Sequence, residues 1–350
     1  MSGAAEVDAY PEIARAIAEG FGQDREPDDR CATETVGPDD QASRLRTLVA
    51  EAASPSMPAV PASVERPLQT TGARLANPVP MPAPDAAPAP VVAIASGKGG
   101  VGKSTIALNI ATASRRACTL VDLDLGTANL DVMCGLSPSA RMDTELFDIE
   151  RPDLRRIIVR TPHGFGLIPG AAGIATAANL GPLQRRRLLS AVQALGTAGE
   201  TVIADLGAGI GPSVVETVAA ADLGIIVTTP DPAAIADAYA IIKCVVQQRG
   251  DTRPLRLGLV VTMVSGRAEA RAAHSRIDRV CRRFLGGTVP MLGMVRRDAR
   301  VVQAARRREP ILAGRSFGPA ARDLRSLAAL IEALAPVRGR ADSPSAHANP

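Results

Sequence analysis

The stretch Ser-Gly-Lys-Gly-Gly-Val-Gly-Lys-Ser-Thr, residues 96–105, limits the possible folds of this chain more than any other. It follows the apolar run Val91-Val92-Ala93-Ile94-Ala95 and precedes a segment patterned as a helix. Gly97 to Ser104 fit the spacing GxxxxGK[ST], a loop between strand and helix whose backbone N–H groups turn toward phosphate oxygens. Gly99, Gly100 and Gly102 free the backbone for that turn. The helix that starts near Ser104 adds its positive N-terminal end. Lys103 is placed to reach the β- and γ-phosphates of a nucleotide, and the Ser104 hydroxyl to ligate Mg²⁺. Gly97, Lys98, Val101 and Thr105 complete the expected ATP-contacting wrap.

The chain carries 40 Lys and Arg residues, yet the only lysines are Lys98, Lys103 and Lys243. Two of the three sit in this loop. Arg is a wide planar fork, whereas Lys is a compact charge on a thin stem. A tight loop around phosphate suits the second, so both loop lysines read as chemical.

Aromatic residues make up 2% of the chain and Trp is absent, which argues against stacking nucleic-acid bases on rings. A net charge of +4 is mild and does not by itself indicate a polyanion partner. Cys31, Cys118, Cys134, Cys244 and Cys281 are scattered and never spaced as CxxC; they read as free thiols of a cytoplasmic protein. His163, His274 and His347 show no metal-like spacing. No signal-peptide pattern opens the sequence, and no apolar run is long enough to span a bilayer.

Residues 1–36 are acidic and mixed, with one short helical pattern around Ile13 to Ala18. Residues 37–52 read as a second helix, capped by Asp39 or Asp40, with Ala42, Leu45, Leu48 and Val49 on one face. Residues 53–90 are rich in Pro and Ala, which predicts an extended linker. From Val91 to about Ala335 apolar strands alternate with helices. Strands are expected at 91–95, 118–122, 165–168, 201–205, 223–228, 256–262 and 290–295. Helices are expected at 104–115, 181–195, 231–247, 265–283, 298–308 and 319–334. The expected fold class is α/β, a P-loop domain built on a mostly parallel sheet with helices on both faces. The tail from residue 336 to 350 is polar and expected to be disordered.

Two further strand ends carry acids. "CTLVDLDLG" delivers Asp122 and Asp124, and "ETVIADLGAGIG" delivers Asp205. A lone Asp at a strand end is usually a helix cap or a turn. Three such acids beside a phosphate loop favour function. Asp124 is expected to orient the attacking water, with Asp122 near the metal and Asp205 holding Mg²⁺ through water. Gly207 and Gly209 suit a loop that senses the γ-phosphate.

"KGGVGKS" resembles the deviant phosphate loop of the MinD/ParA class of ATPases in every position. The resemblance spans about residues 91–335 and implies ATP hydrolysis with Mg²⁺. It also implies an ATP-bound homodimer in which Lys98 reaches the partner subunit's phosphates. "DLDLGTANLDVMCGL", "DLGAGIG" and "TTPDPAAIADAYAIIK" are similar to motifs of the FlhG/FleN branch. "DQASRLR", Asp40 to Arg46, matches that branch's DQAxxLR motif. The resemblance implies that Asp40, Gln41, Leu45, Arg46 and Leu48 contact an SRP-type GTPase of the FlhF kind and stimulate its GTP hydrolysis. Gln41 would lie nearest the partner's nucleotide. Flagellar C-ring components and the inner face of the cytoplasmic membrane are further contacts the resemblance suggests.

Thr262 stands where the family has an adenine-contacting Asn, and Val295 to Asp298 read VRRD in place of IPxD. No basic amphipathic helix follows the last core helix. Two alternatives remain: a ParA-type DNA-partition ATPase using Arg185–Arg187 and Arg306–Arg308, and a MinD-type division-site regulator. The first lacks any place for DQASRLR, and no sequence-specific nucleic-acid contact is expected.

Overall fold

The computed structural model describes residues 89–143, 149–171, 180–196, 200–249, 255–314 and 316–335. The N-terminal extension, the DQASRLR helix with Asp40, Gln41, Leu45, Arg46 and Leu48, the linker up to residue 88 and the tail from 336 lie outside the described residues.

Among the described residues, β1 (Val91–Ser96) starts the domain, followed by α1 (Lys103–Ala113), β2 (Ala117–Leu123) and the single turn α2 (Leu130–Met133). A short 3₁₀ helix (Leu154–Ile157) leads to β3 (Val159–Arg160) and β4 (Gly166–Ile168). Then come α3 (Pro182–Gln193), β5 (Glu200–Ala208), α4 (Pro212–Ala220), β6 (Leu223–Thr228) and α5 (Pro232–Arg249). The order closes with β7 (Leu257–Val264), α6 (Arg267–Leu285), β8 (Met291–Arg296), α7 (Ala299–Arg307) and α8 (Pro319–Leu334).

The eight strands form one sheet in the order β3-β4-β2-β5-β1-β6-β7-β8. Every pair is parallel except β3 with β4. A sheet of this kind needs both faces covered, because parallel strands joined by crossover helices expose neither face to water. β1 shows how the sequence achieves this. Its six residues are all buried, and they alternate between two cores. Val91, Ala93 and Ala95 pack with residues of α3, α4, α5 and α6; Val92 and Ile94 pack with residues of α1 and α8. Successive side chains of a strand point to opposite faces, so a run with no polar break is what a central strand requires.

The last helix follows the expected pattern. Leu324, Leu327, Leu330, Ile331 and Leu334 of α8 are all buried in the second core. Burying each contributes about 1.5–3 kcal/mol, so α8 is an integral wall of the domain.

The structure adds what the sequence reading lacked. β3 is only two residues long and antiparallel, hydrogen-bonded to β4 across a tight turn at Thr161–Phe165. Gly164 takes φ +94° in that turn, a conformation that costs glycine little. A two-residue edge strand carries no periodicity to read. α4 (Pro212–Ala220) is not among the expected helices either; the other strands and long helices fall within three residues of their expected limits, the usual blur of element ends. The largest departure is β5, which runs on to Ala208, past the expected end at residue 205.

Candidate active site

The sheet order places the site. β1 lies between β5 and β6, and the chain changes direction across the sheet there, so a crevice opens at the carboxyl ends of the strands. The residues following β1 form the phosphate loop. Gly100 (φ +78°) and Gly102 (φ +90°) are left-handed, and the hydroxyl of Ser96 donates to the Lys98 carbonyl at 2.9 Å. A side chain added at Gly99, Gly100 or Gly102 would meet nothing within 4 Å. The hollow of the loop is therefore open, as a phosphate cradle must be. Gly97 is different. A Cβ there would fall 2.2 Å from the Asp237 carbonyl oxygen, so glycine is required for the loop to lie against α5.

Two buried acids stand side by side under the loop. Asp122 of β2 and Asp205 of β5 are register partners in adjacent parallel strands, and both are almost fully buried. Asp205 accepts from the Lys103 ammonium at 3.1 Å, and Lys103 also donates to the Ser104 hydroxyl at 3.4 Å. Burial pushes the Asp205 carboxyl up; Lys103 and the nearby Ser104 hydroxyl pull it back. The second carboxylate oxygen, Oδ2, is buried without a hydrogen-bond partner among the described residues. An orphaned anionic oxygen is costly unless something fills its place. Mg²⁺ fits this donor set: an oxygen from Asp205, the Ser104 hydroxyl, and waters and phosphate for the rest. Among the described residues, no group of three or more His, Cys, Asp or Glu could hold a metal without such help.

Asp122, expected near the metal and its waters, also braces the loop that follows it. Its Oδ1 accepts from the Asp124 N–H at 3.2 Å, and its Oδ2 accepts from the Asn129 and Leu130 N–H groups, both at 3.0 Å. Both oxygens hold the loop after β2 and the start of α2. Burial pushes its pKa up to about 7, against the lowering effect of these backbone bonds. A folded pKa above the ordinary carboxylate value means that its contribution to stability is present in acid and is lost as pH rises from about 4 through about 7.

Asp124 lies one residue beyond β2, half-buried. Its Oδ1 accepts from the Thr127 N–H at 3.1 Å and would lie 3.5 Å from a side chain at Gly207. It therefore faces the end of β5, where its charge helps push Asp205 up. Past Gly207 the strand is tied to the phosphate loop, because the Gly209 N–H bonds the Ser96 carbonyl at 2.8 Å. That bond couples the expected sensing segment to the loop itself.

The two loop lysines have separate fates. Lys103 is buried against Asp205. Lys98 stands on the rim, 45% exposed, 3.5 Å from the 52%-exposed Asp231. Asp231 also accepts from the Ala233 and Ala234 N–H groups at the start of α5, and these bonds, with a smaller push from Lys98, hold its carboxyl below the ordinary range.

Thr262 contacts the loop from below. It is buried, and its hydroxyl bonds the Val101 carbonyl at 2.6 Å and the Thr228 carbonyl at 3.1 Å. Thr262 therefore braces the phosphate loop, its hydroxyl proton directed at the two carbonyls. The sequence reading missed its neighbour Met263. This residue is left-handed (φ 55°) and exposed at a register shift in β7. Strain of this kind in a non-glycine residue gathers at functional sites, and no sequence signal announces it.

A strand, a glycine loop with a buried lysine, and two acid-bearing strand ends define a phosphate-loop nucleotide-binding domain. Residues 92–311 match the CobQ/CobB/MinD/ParA nucleotide-binding domain, and the chain belongs to that family. Within it the sequence falls with the FlhG/FleN branch. It is 32% identical over 221 residues to the antiactivator FleN of Pseudomonas aeruginosa, covering 62% of this chain and 77% of that protein. It is 34% identical over 192 residues to the flagellum site-determining protein YlxH of Helicobacter pylori, covering 54% and 63%. The fold is similar to the septum site-determining protein MinD of Pyrococcus horikoshii, solved with Mg-ADP, with TM-score 0.58 and 20% identity over 72% of this chain and all of that one.

Proposed function

We propose that this protein is an ATP-switched homodimeric ATPase that controls flagellum number or placement. Its residues 37–52 form a helix that stimulates an SRP-type GTPase of the FlhF kind. The observation that carries the ATPase part is the division of labour between Lys103 and Lys98. One is buried on the chain's own Asp205; the other waits on the rim beside an exposed partner.

With ATP in the loop, Lys103 transfers its contact from Asp205 to the β- and γ-phosphates. Asp205, through water, and the Ser104 hydroxyl would hold Mg²⁺, which when bound would neutralise phosphate charge. Asp124 orients the water at the γ-phosphate, held in place by the loop that Asp122 fixes. Lys98 leaves Asp231 and crosses to the second subunit's γ-phosphate, so charge stabilisation is complete only in the closed dimer. FleN and YlxH, named as an antiactivator and a flagellum site-determining protein, support the flagellar reading.

Lys98→Ala is expected to bind ATP as tightly as the parent protein yet stay monomeric and hydrolyse none. Size-exclusion chromatography and nucleotide titration check this. A loss of ATP affinity equal to that of Lys103→Ala would refute the crossing role. The GTPase contact has its own test. A peptide of residues 39–52 should raise GTP turnover by the FlhF-type partner, with Gln41→Ala binding but stimulating poorly and Leu45→Asp failing to bind. A silent peptide beside an active full-length chain would overturn the tethered-activator reading and leave the ATPase reading standing.

A further inference from the structure

The peptide unit between Val101 and Gly102 is held from one side. Its oxygen, the Val101 carbonyl, stands one residue before the first helical acceptor of α1, the Gly102 carbonyl, which takes the Ile106 N–H at 3.0 Å. The Val101 oxygen therefore lies outside the helical ladder, and Val101 is buried. A buried carbonyl without a donor costs about as much as a lost hydrogen bond. Thr262 supplies the donor: its hydroxyl is 2.6 Å from the Val101 oxygen and 3.1 Å from the Thr228 oxygen. The support is stiff. Thr262 is buried and β-branched, which restricts its side-chain rotation. Thr228 behind it is also tied down, because its own hydroxyl donates to the Ala234 carbonyl in the first turn of α5 at 2.9 Å.

A trans peptide unit carries its C=O and N–H on opposite edges of one plane. Anchoring the oxygen on Thr262 turns the other edge, the Gly102 N–H, away from the core and toward the open side of the loop. There a side chain at Gly102 would meet nothing within 4 Å, and the N–H itself bonds no acceptor among the described residues. We propose that Thr262 is a positioning residue of the phosphate site: its hydroxyl aims the Gly102 N–H at a phosphate group. By donating to the oxygen of the same peptide unit it also polarises that unit, which makes the N–H a stronger donor. Thr262 does this through the peptide it holds, from β7, 161 residues further along the chain. The proposal rests on the nucleotide-binding reading above and assigns a second strand to the aiming of the loop.

Two substitutions in the full-length chain separate the hydroxyl from the packing. Thr262→Val keeps the branched shape and removes the hydroxyl; Thr262→Ser keeps the hydroxyl and removes a methyl group. Titration with fluorescent ADP and Mg²⁺ should show Thr262→Val binding about tenfold more weakly than the parent, a loss of about 1.4 kcal/mol. Thr262→Ser should stay within about twofold. Thermal melts without nucleotide should show both variants losing stability, so affinity follows the hydroxyl and not the melting temperature. The Gly102 amide proton gives a direct reading by NMR. ADP should move its resonance downfield in the parent and in Thr262→Ser, and far less in Thr262→Val. The proposal is overturned if Thr262→Val binds ADP as the parent does, or if Thr262→Ser falls as far as Thr262→Val. It is also overturned if ADP leaves the Gly102 resonance of the parent unmoved, a result that holds even where Thr262→Val fails to fold. A parent chain that binds no ADP removes the nucleotide reading itself, and this proposal with it.

Discussion

Lys103→Ala is expected to abolish nucleotide binding and, separately, to destabilise the nucleotide-free fold by about 3–5 kcal/mol, the cost of breaking a buried ion pair by removing one partner. The first effect follows from losing the cation in the phosphate loop. The second follows from Asp205, which is buried, receives Lys103 at 3.1 Å, and already has one oxygen without a partner. Without Lys103 the burial that raises the Asp205 carboxyl acts unopposed by its main counter-charge. Its folded pKa then rises further, so the variant loses stability as pH climbs above the ordinary carboxylate range, and the gap to the parent closes in acid. Thermal melts across pH without nucleotide give the reading. Adding Asp205→Asn should return most of the lost stability and none of the binding. If Lys103→Ala melts with the parent at neutral pH, the pair is not the electrostatic keystone of the resting site.

What could be read from the sequence here, and what could not, has a physical basis. The phosphate loop was legible because its function demands rare residue types in fixed order, and no packing requirement produces four glycines and two lysines in ten residues. The strands were legible because a doubly covered parallel sheet leaves Val91–Ala95 and Leu223–Val227 without a polar interruption. α8 could be read as a core helix from the spacing of its leucines. The role of Asp122 could not. An acid two residues before another acid reads as a neighbour of the metal, and only the fold shows that three backbone N–H groups also converge on it. Nor does the position of Thr262 in the sequence announce that it braces Val101 from beneath, across a separation of 161 residues. Side chains that support a site from below carry no local pattern, since their partners are distant in sequence. β3 and the left-handed Met263 fail for the opposite reason, being features of one or two residues with no period at all.

Asp124→Ala is expected to stop ATP turnover while leaving Mg-ATP binding intact, so that the dimer accumulates. The acid sits at the mouth of the site, beside the end of β5, and belongs to neither the Lys103–Asp205 pair nor the glycine hollow. Its removal therefore leaves the groups that bind nucleotide in place and takes away the group that positions water. Loss of such a group lowers the rate by about 10²–10⁴-fold. Alanine also deletes the bond that Asp124 Oδ1 accepts from the Thr127 N–H, which could loosen the loop by itself. Asp124→Asn separates the two effects, because the amide oxygen keeps that bond but cannot take a proton from water. Both variants should elute as dimers with ATP and hydrolyse it at the same low rate. If Asn retains the parent rate while Ala does not, Asp124 acts through hydrogen bonds alone, capping the loop or orienting the water, and not as a base. If both stay monomeric with ATP bound, turnover is not what limits the life of the dimer.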